Sequence, residues 1–108
     1  MAAIDLAHDS IWRVDARDGA GAAALFGPDA LVADPSGRQY RGRQAIAAFV
    51  DASPPGTLAQ LAERAMGTGH AVLHGVIQTP GLSPAQVEWV FETDGDQIRR
   101  LEINHLPG

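Results

Sequence analysis

Residues 30–49 read A-L-V-A-D-P-S-G-R-Q-Y-R-G-R-Q-A-I-A-A-F. Residues 30–34, A-L-V-A-D, make a short apolar strand. Pro35-Ser36-Gly37 is turn chemistry: proline pre-sets one backbone angle and glycine accepts the positive one. Residues 38–41 return as a second short strand. Gly42 then opens a helix, R-Q-A-I-A-A-F-V-D, with Ile46, Phe49 and Val50 on its buried face and Pro54-Pro55-Gly56 to end it. Asp34 stands at the end of the apolar run, directly before the proline. It reads either as a turn-former that accepts hydrogen bonds from the Ser36 or Gly37 amides, or as a carboxylate aimed into a cavity.

Upstream, residues 2–16 read as a helix, with Ile4, Ala7, Ile11 and Val14 as its apolar stripe and Ser10 beside it. Asp18 caps a second helix that runs through Phe26 and closes at Pro28. Gly19 and Gly21 weaken it, each by about 1 kcal/mol relative to alanine.

Downstream, residues 57–66, T-L-A-Q-L-A-E-R-A-M, carry Leu58, Leu61, Ala62 and Ala65 at helical spacing, and propensity favours helix. Against that, Gly67-Thr68-Gly69 is a hairpin-like turn and residues 71–78, A-V-L-H-G-V-I-Q, are a strand. A strand partner before the turn is the reading adopted. In V-E-W-V-F-E-T at 87–93, Val87, Trp89 and Phe91 share a face. Asp94-Gly95 signals a hairpin. In Q-I-R-R-L-E-I-N-H at 97–105, Leu101, Ile103 and His105 share one face and Arg100, Glu102 and Asn104 the other. The layout is α+β, with three N-terminal helices packed on one face of a curved, mostly antiparallel sheet.

The 108 residues fit one domain, 1–108. No apolar run approaches the ~18 residues of a membrane span. The start, M-A-A-I-D-L-A-H-D-S, lacks the basic and apolar blocks of a signal peptide, so a cytoplasmic protein is expected. With no cysteine, disulfides, thiolate zinc sites and cysteine nucleophiles are excluded. A net charge of −5 speaks against nucleic acid. The basic cluster Arg38, Arg41 and Arg43 reads as a solvated loop. His70 and His74 have H-x-x-x-H spacing, but glycines flank them, the stretch is a strand and no glutamate follows the first histidine. No metal and no cofactor is expected.

Four stretches carry a resemblance: V-D-A-R-D at 14–18, A-L-F-G-P-D-A-L-V-A-D-P-S-G at 24–37, Y-R-G-R-Q-A-I-A-A-F at 40–49 and V-F-E-T-D-G-D-Q-I-R-R-L-E-I at 90–103. The chain resembles the nuclear-transport-factor-2-like superfamily, in particular its ketosteroid-isomerase and SnoaL-like polyketide-cyclase groups. The resemblance implies a cone, in which a strongly bent sheet wraps around helices and encloses a pocket. It also implies homodimers through the outer sheet face. Val72 and Val76 alternate with Leu73 and Ile77, so that both faces of this strand are apolar, which suits a core on one side and a partner subunit on the other. The superfamily holds isomerases, dehydratases, cyclases, epoxide hydrolases and non-enzymes, so the likeness does not fix a reaction. No spacing of Arg99, Arg100, Asp5 and Asp9 suits the Asp-Arg-Asp group of the epoxide hydrolases.

By that resemblance Asp34 takes the place of the general base, its pKa raised by a dry pocket wall. The isomerases hold the developing oxyanion with a tyrosine and a protonated aspartate. Here an ungapped alignment puts Ser10 at the tyrosine position and Val87 at the aspartate position, so steroid isomerisation by that mechanism is not expected. His105, in phase with Leu101 and Ile103, and His74, in phase with Val72 and Val76, are the candidate replacements. Each reads equally as a wall residue bonded to a backbone carbonyl. Trp89, Phe91 and Met66 supply apolar walls, and Ser10, Val14, Val32, Val72, Val87, Leu101 and Ile103 complete the expected pocket. Trp12 is assigned to core packing. The expected function is binding of a small apolar molecule, with isomerase, cyclase or dehydratase chemistry by Asp34 on a carbonyl substrate. The rivals are a non-catalytic ligand-binding module and a dimerisation domain with a filled core.

Overall fold

The computed structural model describes residues 3–52 and 57–106. Helix α1, Ala3–Asp15, buries Ala3, Leu6, Ala7, Ser10 and Ile11, a stripe at helical spacing. Asp5 in its first turn and Arg13 in its last complement the helix dipole. Helix α2 spans only Gly19–Ala23, capped by Asp18, which accepts from the Gly21 amide at 2.9 Å. It ends before Phe26, short of the expected length. The Leu25 carbonyl accepts from the Ile98 amide at 2.8 Å and Phe26 pairs with Ile98, so the chain has already entered the sheet. Pro28 therefore lies inside β1, Phe26–Ala33, where pairing to the neighbouring strand slips between Phe26 and Leu31.

Strand β2, Gln39–Arg41, returns antiparallel to β1, and helix α3, Arg43–Asp51, follows from Gly42 at φ 86°. Residues 54–56, expected to end α3, lie outside the described residues. Strand β3, Thr57–Gly67, pairs with β4, His70–Gln78, from Thr57↔Gln78 to Gly67↔His70, with two bulges. Its helical spacing is overridden: propensity differences of a few tenths of a kcal/mol per residue are small beside a full ladder of backbone hydrogen bonds. Strands β5, Ala85–Asp94, and β6, Gln97–His105, form the closing hairpin, with Gly95 at φ 62° in its turn.

The strand order is β2-β1-β6-β5-β4-β3, with β1 and β6 parallel and every other pair antiparallel. The architecture is α+β with a mixed sheet. The sheet is not strongly curled, in contrast to the bent sheet that the resemblance implies; its end strands, β2 and β3, do not pair with each other. Leu6, Ala7 and Ile11 of α1 join a core with Phe26, Val32, Ile46, Leu73, Trp89, Phe91, Ile98 and Leu101.

The phase of β4 is the reverse of the sequence reading. Ala71, Leu73 and Gly75 are buried, and Leu73 pairs with Trp89 and Ala71 with Phe91. Val72, His74 and Val76 take the opposite, half-buried face. Because residues of both faces are apolar, alternation carries no phase information here.

Candidate functional site

A cavity of about 820 Å³ opens between α1, α3, the β1–β2 turn and the inner face of β5 and β6. Two elements run from its floor to its mouth. Along α1 and the residues after it, Ser10 is buried, Val14 half-buried and Arg17 exposed; along β6, Leu101 is buried, Ile103 half-buried and His105 exposed. Val87 and Trp89 of β5 complete the floor, and Ala45, Ala48 and Phe49 of α3 form the opposite wall. Asp34, Arg38 and Tyr40 stand on the turn side of the mouth.

Of the residues expected in the pocket, Ser10, Val14, Val87, Trp89, Leu101 and Ile103 line the cavity. Val32 and Phe91 do not. Both are in the packed core, 1% and 0% exposed, clustered with Phe26, Leu73, Ile98 and Leu101. Met66 lies on the edge strand β3 and is 60% exposed. Val72 faces away with the outer residues of β4. Trp12, assigned to the core, is 56% exposed instead.

Asp34 is half-buried, forms the turn and lines the cavity. Its Oδ1 accepts from the Ser36 amide at 3.0 Å, the Ser36 hydroxyl at 2.6 Å and the Arg38 amide at 3.0 Å, which builds the turn. Its Oδ2 accepts from the Tyr40 hydroxyl at 3.2 Å, at the cavity wall. The Ser36 hydroxyl above all, with the Arg38 amide and Tyr40 after it, lowers the carboxyl below its usual 3.8, and desolvation opposes them only in part. The expected rise is therefore replaced by a fall. Four donors favour the charged form more than partial burial disfavours it.

His74 does not join Asp34. It sits on the outer sheet face, where its Nε2 pairs with Glu88 Oε2 at 2.8 Å. Glu88 Oε1 also accepts from the Asn104 side chain at 3.3 Å. The His74 hydrogen bond is the main cause of a lowered Glu88 pKa. His105 does line the cavity that Asp34 lines.

Sequence reasoning passed over Tyr40, Arg17 and Asp15. Tyr40 packs its ring on Phe49, with centroids 4.5 Å apart, and so presents its hydroxyl to Asp34. Its place directly opposite Val32 was the available signal. Asp15 accepts from the Leu58 amide at 3.1 Å and ties the end of α1 to β3. Arg17 has φ 55° and donates to the Asp15 carbonyl at 3.2 Å. Among the described residues no group of three His, Asp or Glu is placed to hold a metal ion. No helix among them is long and apolar enough to cross a membrane.

No family model and no curated protein matches the chain. Solved structures do. A protein from Sphaerobacter thermophilus is 63% identical over 100% of this chain and 99% of its own, with a TM-score of 0.96. A protein from Sinorhizobium meliloti described as a polyketide cyclase is 25% identical over 93% of this chain and 94% of its own, with a TM-score of 0.79. A nuclear-transport-factor-2-like protein of Cytophaga hutchinsonii shares the fold at a TM-score of 0.80, with 12% identity over 99% of this chain and 92% of its own. The fold is that of nuclear-transport-factor-2-like and ketosteroid-isomerase-like proteins, in agreement with the resemblance carried by the motifs at 14–18, 24–37, 40–49 and 90–103.

Proposed function

We propose that the chain binds a small, mostly apolar molecule in the cavity between α1, α3 and the sheet. The observation that carries this is the distribution of polarity. The floor and walls are Val14, Phe49, Val87, Trp89, Leu101 and Ile103, while the polar lining side chains are the buried Ser10 and six that are not buried: Asp15, Arg17, Asp34, Arg38, Tyr40 and His105. A cavity of about 820 Å³ with few, placed polar groups is the usual form of a small-molecule site. The likeness to a protein described as a polyketide cyclase supports the same reading. Native mass spectrometry of the purified protein, with titration of apolar aromatic probes against Trp89 fluorescence in a Trp12→Phe background, tests it. Saturable quenching that Leu101→Phe abolishes is expected; probes that bind Leu101→Phe as well as the parent protein would show that they bind elsewhere.

A second reading, proton transfer beside a carbonyl, is favoured by one observation: Asp34 and His105 line the same cavity. A carboxylate with a lowered pKa is ionised at neutral pH but is a weak base, so any such chemistry relies on a substrate with an acidic α-proton. The measurement is deuterium incorporation at the α-carbon of enones and β-keto compounds. Equal exchange by the wild type and Asp34→Asn removes Asp34 as the base.

We also propose that a second copy covers the outer sheet face, where Val72, Val76 and Val90 are half-buried. Sedimentation velocity of the wild type and Val72→Glu tests this, and a monomeric wild type refutes it.

A further inference from the structure

Two exposed arginines line the cavity, Arg17 just after α1 and Arg38 on the β1–β2 turn. Arg17 breaks a local rule. The Asp18 amide donates to the Arg13 carbonyl at 2.9 Å and the Arg17 amide to the Val14 carbonyl at 3.0 Å, so α1 ends in a Schellman motif with Arg17 at its left-handed position, φ 55°. Glycine is the usual residue there, because a Cβ is disfavoured in that conformation. The arginine side chain donates to the Asp15 carbonyl at 3.2 Å, which complements the helix end, and it lines the cavity mouth. Of the basic cluster Arg38, Arg41 and Arg43, Arg38 alone lines the cavity. Asp34 pins its backbone through two bonds of 3.0 Å, one to the amide and one from the Asp34 amide to the Arg38 carbonyl. Its guanidinium makes no hydrogen bond or ion pair among the described residues, although the chain carries a net charge of −5. The carboxylates of the mouth are engaged by the chain itself. Asp34 accepts from Ser36, Arg38 and Tyr40, and Asp15 accepts from the Leu58 amide. What the mouth offers a ligand is therefore positive charge and N–H donors.

We propose that the cavity takes an apolar carboxylic acid, its hydrocarbon body against Val14, Phe49, Trp89 and Ile103 and its carboxylate at the mouth between the Arg17 and Arg38 side chains. The proposal rests on the ligand-binding reading and adds a charge and a direction to it. The chemical class is an aromatic or alicyclic monocarboxylate. The planar fork of a guanidinium matches the two oxygens of a carboxylate. Holding the charged end at the solvent edge leaves only the apolar body to be desolvated.

Three probes test this by isothermal titration calorimetry at neutral pH: naphthalene-2-carboxylate, the corresponding carboxamide and naphthalen-2-ylmethylammonium. Wild type is expected to bind the carboxylate about tenfold more tightly than the carboxamide, and the ammonium most weakly. Arg38→Gln and Arg17→Gly are each expected to reduce the preference for the carboxylate. Glycine suits the backbone of position 17, so that variant is expected to fold, as checked by its circular dichroism. Arg41→Gln removes the same charge from an exposed residue outside the cavity and is expected to leave the preference unchanged. Equal binding of carboxylate and carboxamide by the wild type overturns the proposal and leaves the ligand-binding reading standing, as does tighter binding of the ammonium. A preference that either Arg17→Gly or Arg38→Gln leaves undiminished, or that Arg41→Gln reduces as much, overturns it too. Wild type that binds none of the three overturns the ligand-binding reading and the proposal with it.

Discussion

The Ser36 hydroxyl donates to Asp34 Oδ1 at 2.6 Å, and this bond is the largest influence on the charge of the cavity-wall carboxylate. Ser36→Ala is therefore expected to raise the Asp34 pKa toward its ordinary 3.8, as read by carboxyl-carbon NMR titration. The sign for stability follows. A depressed folded pKa contributes stability above 3.8, and that contribution is lost as pH falls through the lower folded value. Ser36→Ala shrinks it. An unchanged Asp34 titration in the variant would mean that the Ser36 and Arg38 amides and the Tyr40 hydroxyl hold the charge without it.

His74 and Glu88 make a second test, on the other face of the sheet. Their 2.8 Å contact lowers the Glu88 pKa below its ordinary 4.5. Thermal melts of the wild type are expected to lose stability as pH falls through this lowered value, on the acid side of 4.5. Glu88→Gln cannot titrate, so its melting temperature is expected to vary less across the same window. Parallel profiles for the two proteins contradict this account.

The face assignment of β4 is open to direct measurement. Leu73 is 0% exposed and packs in the core, whereas Val72 is half-buried on the outer face. Leu73→Ala is expected to cost about 2–5 kcal/mol in urea unfolding, and Val72→Ala about 1 kcal/mol or less in the monomer. The reverse order would restore the phase that the sequence alone suggested.

Gly69 turns the β3–β4 hairpin at φ 72°, and a Cβ built there lies 3.1 Å from the Thr93 carbonyl oxygen. Gly69→Ala is expected to cost about 1–3 kcal/mol, from the backbone conformation and the contact together. Gly37, at φ 91° with nothing within 4 Å of such a Cβ, separates the two causes. Gly37→Ala carries the conformational cost alone, so chemical denaturation should rank it as the milder change. Equal losses would remove the Thr93 contact from the explanation.

Most of the fold was legible because its punctuation is local. Pro35-Ser36-Gly37, Gly42, Gly67-Thr68-Gly69 and Asp94-Gly95 mark turns by backbone chemistry that does not depend on the rest of the chain. The faces of β5 and β6 were legible because Val87, Trp89 and Phe91 alternate with Glu88 and Glu92, and Leu101 and Ile103 with Glu102 and Asn104. In β4 that contrast is missing, so His74 was placed on the wrong side. Met66, on an edge strand, illustrates a separate limit: hydrophobicity alone does not show whether a neighbour will cover a residue. The part played by Asp34 was half legible. Its position before the turn was visible, but the four donors that set its charge include Tyr40, six residues away across a strand pair.

The parallel pairing of β1 with β6 has a bearing on how the protein is made. Strand β6 is the last of the described strands to be synthesised, yet it lies between β1 and β5 in the sheet. Until it emerges from the ribosome, β1 and β2 are cut off from β3, β4 and β5, and both fragments carry a bare edge. Chain growth at ~5–20 residues per second therefore leaves an interval of seconds in which the sheet is in two halves. Docking β6 between them closes long loops at once, which slows the final step. A chain that stops before Gln97 lacks the strand that joins the two halves, and leaves two open sheets rather than one.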